Sequence, residues 1–246
     1  MKAISIITVV KNNKKGIEKT IRSVLGQNQK NIEYIVVDGM STDGTSEIIL
    51  KYKSSLIYLR QPDKNLYMAI NKGIKKASGK YIVLLHSGDK FFNSFSISSA
   101  LNFIKDYNLD VASFSMNYIS NNKIIRKWNL QLKKLTKYNF FKIAHPTLII
   151  KTKIAKKLGY SEKYLISGDA DFLLRLSKIE NIKYKFSELL FQQNQYGGIS
   201  TNNKNLLKKI TEDLKIIKKY HSYLFIFIYF LKIFSKLPTF FFSNKK

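Results

Sequence analysis

Four aspartates stand where this chain could do chemistry. Asp38 follows the apolar run Ile32–Val37, and Asp89 closes the turn His86-Ser87-Gly88-Asp89 after Lys80–Leu85. Asp169 and Asp171 open a helical stretch in Ser167-Gly-Asp-Ala-Asp-Phe172. Hard oxygen donors suit Mg²⁺ or Mn²⁺, and Mg²⁺ commonly takes one or two protein carboxylates and completes its shell with phosphate oxygens. Carboxylates gathered at strand ends therefore point to a divalent cation bridging a diphosphate. Asp89, on a tight turn after Ser87-Gly88, is the ligand expected. Asp43, in the turn Thr42–Thr45, reads instead as a helix cap, a reading open to Asp169 as well. The chain has no Cys, which rules out a disulfide scaffold, a thiolate metal site and a Cys nucleophile.

The elements that must hold these acids alternate. Ile4–Val10, Ile32–Val37, Leu56–Leu59 and Lys80–Leu85 read as buried strands. Between them, Gly16–Gln27, Ser46–Tyr52 and Tyr67–Ala77 carry apolar residues at helical spacing. The alternation predicts a mostly parallel α/β sheet with helices on both faces, whose ligand lies beyond the carboxyl ends of the strands. Further on, Asp110–Asn117 and Lys123–Trp128 read as strands, Lys151–Leu158 and Ala170–Lys178 as helices, and Asn181–Phe186 and Leu189–Gln193 as edge strands. With no internal repeat and no Pro- or Gly-rich linker, one α/β domain over residues 1–202 is expected. Ile4–Val10 is too short for a leader, and Lys11–Lys15 ends it at once.

The formal charge is +27 over 246 residues, which invites polyanionic partners. Its placement says more than its total. Residues 1–110 hold 17 basic and 9 acidic residues, whereas Val111–Ser161 holds 11 basic and no acidic ones. Residues 203–246 hold 10 basic residues against Glu212 and Asp213. Asn203–Lys219 reads as a basic helix, followed by the nine apolar residues Tyr223–Leu231. A membrane span needs about 20 mostly apolar residues. Lys232, Lys236 and Pro238 interrupt this one, so the tail is expected to lie in a membrane interface. A buried terminal helix or an oligomer contact is the plainer alternative.

The chain resembles family 2 glycosyltransferases of the GT-A fold over residues 3–200. The resemblance is carried by Ser5-Ile-Ile-Thr-Val-Val-Lys-Asn-Asn13, Ser23-Val-Leu-Gly-Gln27, Glu33-Tyr-Ile-Val-Val-Asp-Gly-Met-Ser-Thr-Asp-Gly-Thr45 and Pro62-Asp-Lys64. It continues through Asn71-Lys-Gly73, Ala77-Ser-Gly-Lys-Tyr81, Leu85-His-Ser-Gly-Asp89, His145-Pro-Thr147, Ser167–Phe172 with Arg175, and Tyr196-Gly-Gly-Ile-Ser200. The resemblance implies a GT-A, Rossmann-like nucleotide-diphospho-sugar transferase sheet. Residues 1–110 would form its donor half and 111–202 its acceptor half, with 203–246 as a membrane-associating tail. By the same resemblance, Thr8, Val10 and Lys11 wrap the nucleotide, Asp38 contacts base or ribose, and Asp63 and Lys72 line ribose and diphosphate. Ser87 and Gly88 border the donor, and Asp89 matches the last acid of an Asp-x-Asp metal signature. Asp169 matches the general base, with His145 and Asp171 on the acceptor side. The sequence departs from the family in two places. The acid signature is shortened to Ser87-Gly88-Asp89, and Met68 stands where an acid is common.

The function so implied is inverting transfer of a sugar from a nucleotide-sugar, a UDP-sugar by family weight, to a hydroxyl of a lipid-diphosphate-linked saccharide. The setting would be surface-polysaccharide synthesis on the inner, cytoplasmic face of a membrane. A non-catalytic relative is the alternative that Met68 and the shortened signature raise. A nucleic-acid-binding protein would need a recognition motif or an aromatic platform with interleaved basic residues, and none is present. A nucleotidyltransferase would show a Gly-rich phosphate loop, whereas Lys11–Gly16 has a single Gly. Isolated histidines are more often structural than catalytic, so His86 and His221 read as structural or exposed. Trp128, the only Trp, reads as core or acceptor-side packing.

Overall fold

A computed structural model describes residues 2–129, 132–197 and 205–235. Its nine-stranded sheet has the order β3-β2-β1-β4-β8-β6-β9-β5, with β7 paired to β6. The parallel half is β1 (Ile4–Val10), β2 (Ile32–Asp38), β3 (Ile57–Arg60) and β4 (Tyr81–Leu84). All seven residues of β1 are buried, which is why the strand reads as a mostly apolar run, with Ser5 and Thr8 hydrogen-bonded inside, and not as an alternation. Ile7 and Val9 feed one core with Ile35 and Val37, while Ile4, Ile6 and Val10 feed the other with Tyr34 and Val36.

The second core is closed by α1 (Lys14–Leu25), α2 (Thr45–Leu50) and α4 (Ser96–Asp106). The first is closed by α3 (Leu66–Lys76), α5 (Thr152–Leu158), α6 (Gly168–Leu176), α7 (Leu206–His221) and α8 (Phe225–Phe234). Helices thus cover both faces, as the alternation predicts. From β1 the chain winds outward through β2 and β3, then returns to set β4 on the other side of β1. That reversal creates a crevice beyond the carboxyl ends of β1 and β4, where open α/β sheets bind ligands.

The other half is mixed: β5 (Lys90–Phe91), β6 (Val111–Ser120), β7 (Lys123–Trp128), β8 (Ile149–Lys151) and β9 (Tyr184–Gln195). Two expectations change here. Asn181–Phe186 and Leu189–Gln193 are not edge strands. Their residues belong largely to one long strand, β9, lying between β6 and β5. A shift of register against β6 after Phe114 absorbs the irregularity that made one strand look like two.

The described part of residues 203–246 packs against the first core. Ile216 and Ile217 of α7 are fully buried, and Ile228 of α8 is 2% exposed in the same core. Lys232 does not face outward as an interfacial lysine would. Its ammonium meets Asp213 of α7 at 2.6 Å, and both side chains are buried. The described part of the tail is therefore built into the domain. The outer side of α8 nevertheless exposes Ile226, Phe227, Phe230, Ile233 and Phe234. No helix among the described residues is long and apolar enough to cross a membrane.

Candidate active site

The turn that ends β4 is held by the start of α1. Asn13 caps α1 by accepting from the Gly16 N–H at 3.1 Å, and its amide donates to the Ser87 carbonyl and hydroxyl, each at 3.0 Å. Thr20 donates to the Asp89 carbonyl at 2.8 Å and accepts from the Gly88 N–H at 2.9 Å. Gly88 has φ of +99°, a left-handed conformation that glycine adopts without penalty. A Cβ on Gly16 would lie 2.9 Å from the Gly88 Cα, so the helix seats directly on the turn.

Asp89 is buried. It accepts from the Asn194 amide at 2.8 Å and the Gln195 N–H at 2.9 Å, both from the end of β9. Burial pushes its carboxyl up to about 7, against the Gln195 hydrogen bond and the charge of Lys19. A carboxylate so reluctant to ionise gains much from a neighbouring cation. The Asn194 Oδ1 is buried without a hydrogen-bond partner among the described residues, leaving a second oxygen donor beside Asp89. No group of three or more His, Cys, Asp or Glu able to hold a metal occurs among the described residues. One carboxylate and one amide oxygen fit an ion that leans on substrate phosphates, Mg²⁺ or Mn²⁺, and not a closed protein cage.

The expected donor residues divide. Lys11 is exposed at the mouth of the crevice, and its Cδ would lie 3.4 Å from a Cβ on Gly39. Asp63 reaches the same glycine from the other side and pairs with Lys72 at 2.7 Å. These three side chains lie together. Thr8 and Val10 do not join them through their side chains. Thr8 is fully buried, donates to the Leu85 carbonyl at 2.7 Å and accepts from the Tyr34 hydroxyl at 3.1 Å. Strict alternation along β1 turns both side chains into the core beside α1. Asp38 is fully buried too. Its oxygens accept from the Ser41 N–H and hydroxyl, the Ser46 hydroxyl and the Tyr58 hydroxyl at 2.6–2.9 Å. These bonds outweigh burial and hold the carboxyl below its ordinary range. Asp38 thus organises the loop after β2 instead of presenting a free carboxylate to a base or ribose. Asp43 accepts from the Lys14 and Thr45 N–H groups and ties that loop to α1.

Across the crevice, Asp169 lies half-buried in the first turn of α6, its Oδ1 accepting from the Ala170 N–H at 2.9 Å. Tyr67 of α3 grips this segment: its hydroxyl donates to the Ile166 carbonyl at 2.6 Å and accepts from the Asp169 N–H at 3.3 Å. Burial and then the Asp169 charge hold the Tyr67 hydroxyl well above its ordinary pKa. Tyr118 of β6 senses both ends of the crevice. Burial, then Asp89 and Asp169, push its hydroxyl up to about 12 against the charge of Arg126.

His145 is buried, with Nε2 unpartnered among the described residues. Its ring lies 6.0 Å from that of His86 and 5.7 Å edge-on to Tyr160. Burial lowers its pKa, and Asp169 partly offsets this. Asp171, expected on the acceptor side, is engaged elsewhere. Two residues after Asp169 on a helix, it points away and is 1% exposed. It accepts from Arg175 Nε at 2.7 Å and the Tyr220 hydroxyl at 3.1 Å, clamping α6 to α7.

Sequence reasoning missed Tyr67, Tyr118, Arg126 and Asn194. Arg126 stacks over Trp128, 4.4 Å from the ring centroid, and over Tyr118 at 5.5 Å. Trp128 is packed as expected, its indole N–H donating to the Lys142 carbonyl at 2.8 Å. Of the missed set only Tyr67 had a signal, standing one residue before the anomalous Met68.

Residues 5–168 match the family model described as Glycosyl transferase family 2. The putative teichuronic acid biosynthesis glycosyltransferase TuaG of Bacillus subtilis is 37% identical over 93 residues, 36% of each chain. The uncharacterized glycosyltransferase MJ1057 of Methanocaldococcus jannaschii is 30% identical over 187 residues, 70% of this chain and 63% of that one. Both matches thus take in less than two thirds of the relative's length. Among solved structures, residues 1–349 of TarS from S. aureus in complex with UDP-GlcNAc superpose with a TM-score of 0.73 at 20% identity. That match covers 90% of this chain and 68% of the other.

Proposed function

The chain belongs to glycosyl transferase family 2, and from that premise we propose that it transfers a sugar from a nucleotide-sugar to an acceptor hydroxyl with inversion, in cell-surface polysaccharide synthesis. The observation that carries this is the turn after β4, where buried Asp89 is held by Asn194 and Gln195 at the carboxyl end of the parallel strands. Lys11, Asp63 and Lys72 lie at the β1–β2 end of the crevice, where the nucleotide would sit. The UDP-GlcNAc bound by TarS and the teichuronic acid pathway named for TuaG favour a UDP-sugar and a surface polymer. A divalent cation held by Asp89 and the Asn194 oxygen would neutralise charge developing on the diphosphate leaving group.

The chain's own part is proton removal and placement. Asp169 takes the proton of the acceptor hydroxyl as that oxygen forms its bond to the anomeric carbon. The carbon–oxygen bond to the nucleoside diphosphate breaks on the opposite face, so one displacement inverts the centre. His145, neutral through burial, lines the acceptor side between His86 and Tyr160. The exposed apolar side of α8 favours attachment to the inner face of a membrane and a lipid-diphosphate-linked saccharide as acceptor.

The test is a donor screen read by nucleoside-diphosphate release in the presence of membrane lipid extract, with and without Mn²⁺. Asp169→Asn is expected to lower turnover about 10²–10⁴-fold while leaving donor binding nearly intact. A variant that turns over like wild type would remove Asp169 from the base role. No release with any donor would favour a non-catalytic relative.

A further inference from the structure

Glu212, one of only two acids in residues 203–246, is buried on α7, 43 positions from the acid that the proposed mechanism uses. Its Oε1 accepts from the Leu165 N–H at 2.9 Å, and its Oε2 accepts from the Ile166 and Ser167 N–H groups, each at 2.9 Å. These three consecutive amides lead directly into Gly168-Asp169. On the other side of the same segment, the Tyr67 hydroxyl takes the Ile166 carbonyl and the Asp169 N–H. Five backbone groups within residues 165–169 are therefore fixed by two side chains from elements distant in sequence. Hydrogen bonds from N–H groups to a carboxylate are roughly twice as strong as neutral ones. Loops are ordinarily the mobile parts of a fold, and this one is held as an oxyanion-binding turn would be, with the anion supplied by the protein.

We propose that Glu212 of α7 is a positioning residue for Asp169: its carboxylate, by binding the Leu165, Ile166 and Ser167 amides, sets where the base stands in the crevice. The inference rests on the reading of Asp169 as the base. Lys209, three residues earlier and on the same face of α7, is half-buried; burial lowers its pKa, and the charges of Asp169 and Asp213 partly offset this. This face of α7 thus carries a buried carboxylate and a half-buried ammonium, in a region whose composition points to a membrane-interface tail or, more plainly, a buried terminal helix.

The consequence is kinetic as well as structural. Displacing a catalytic group by about 1 Å can cost on the order of 10²-fold in rate. Glu212→Gln keeps the shape but replaces one acceptor oxygen with a donor that opposes an N–H. In the full chain, with UDP-sugar and lipid-extract acceptor, Glu212→Gln is expected to lower kcat about 10²-fold. Affinity for UDP, bound at the Lys11–Asp63 end, should stay unchanged. Turnover is read at a temperature where far-UV circular dichroism shows the variant folded. Glu212→Asp, which retains charge and both oxygens on a shorter stem, should recover part of the loss and serves where the Gln variant does not fold. Folded Gln and Asp variants with wild-type kcat would overturn the proposal, as would a loss in UDP affinity matching the loss in kcat. Asp169→Asn run alongside separates the two readings. Wild-type turnover in that variant refutes the base assignment, whereas an inactive Asp169→Asn with an unaffected Glu212→Gln refutes only the positioning role.

Discussion

Replacing Lys232 with Met tests whether α8 is part of the fold or an appendage to it. The Lys232 ammonium lies 2.6 Å from Asp213, with side-chain exposures of 9% and 6%. The second Asp213 oxygen has no hydrogen-bond partner among the described residues. Without the lysine, Asp213 loses its ion-pair partner and keeps only the charge of Lys209 one turn earlier on α7. Breaking a buried pair from one side costs about 3–5 kcal/mol, a large share of a total stability of about 5–15 kcal/mol. With a urea m-value of about 3 kcal/mol/M, the unfolding midpoint should fall by roughly 1–1.7 M. The double variant Asp213→Leu with Lys232→Met removes both charges and should recover most of the loss. Urea unfolding followed by far-UV circular dichroism and by the fluorescence of Trp128 reads both. A midpoint for Lys232→Met within experimental error of wild type would refute the reasoning. So would a double variant no more stable than the single one, because the cost would then not come from a stranded charge.

Gly168→Ala would place a Cβ 2.7–2.9 Å from three ring atoms of Tyr67; a loss of about 1–3 kcal/mol in chemical denaturation and a drop in turnover are expected together. Burial and the neighbouring His145 lower His86 to about 3, well under the roughly 6.5 of an unfolded chain. The unfolded state therefore binds more protons between these values, and stability falls as pH drops from about 6.5 towards 3, by at most about 1.4 kcal/mol per unit. The difference in stability between wild type and His86→Gln, measured across that range, should show this slope, and a flat difference would contradict it. Phe227→Ser with Phe230→Ser changes exposed α8 positions only; it should weaken sedimentation with anionic lipid vesicles without lowering the melting temperature. Unchanged sedimentation would remove α8 as the membrane contact. Deleting residues 222–246 is a poorer test, because it also removes buried Ile228 and Lys232.

The parallel half of the sheet was legible from the residues because its information is local. A strand buried on both faces is mostly apolar, and the helices between strands carry their own 3.6-residue period. Asp89 stands at its turn for a reason also visible in the sequence, since Gly88 before it allows φ of +99°. Helix α4 was missed, and β9 was split in two where its register shifts against β6.

The sequence by itself determined which residues stand at the strand ends: Lys11, Asp38 and Asp89, with Asp169 at the head of a helix. It could not say which of them are free to act. Asp38 and Asp89 look equivalent in the chain, yet Ser41, Ser46 and Tyr58 occupy the first, while burial against β9 raises the second to about 7. Asp169 and Asp171 share one motif, yet helical geometry sends the second to Arg175 and Tyr220. Tertiary structure alone turned a basic, aromatic tail into the wall that holds the segment leading into Asp169. Glu212 meets its amides across 45–47 residues, and a carboxylate's choice of partner over that distance is set by packing, which no local pattern of residues encodes.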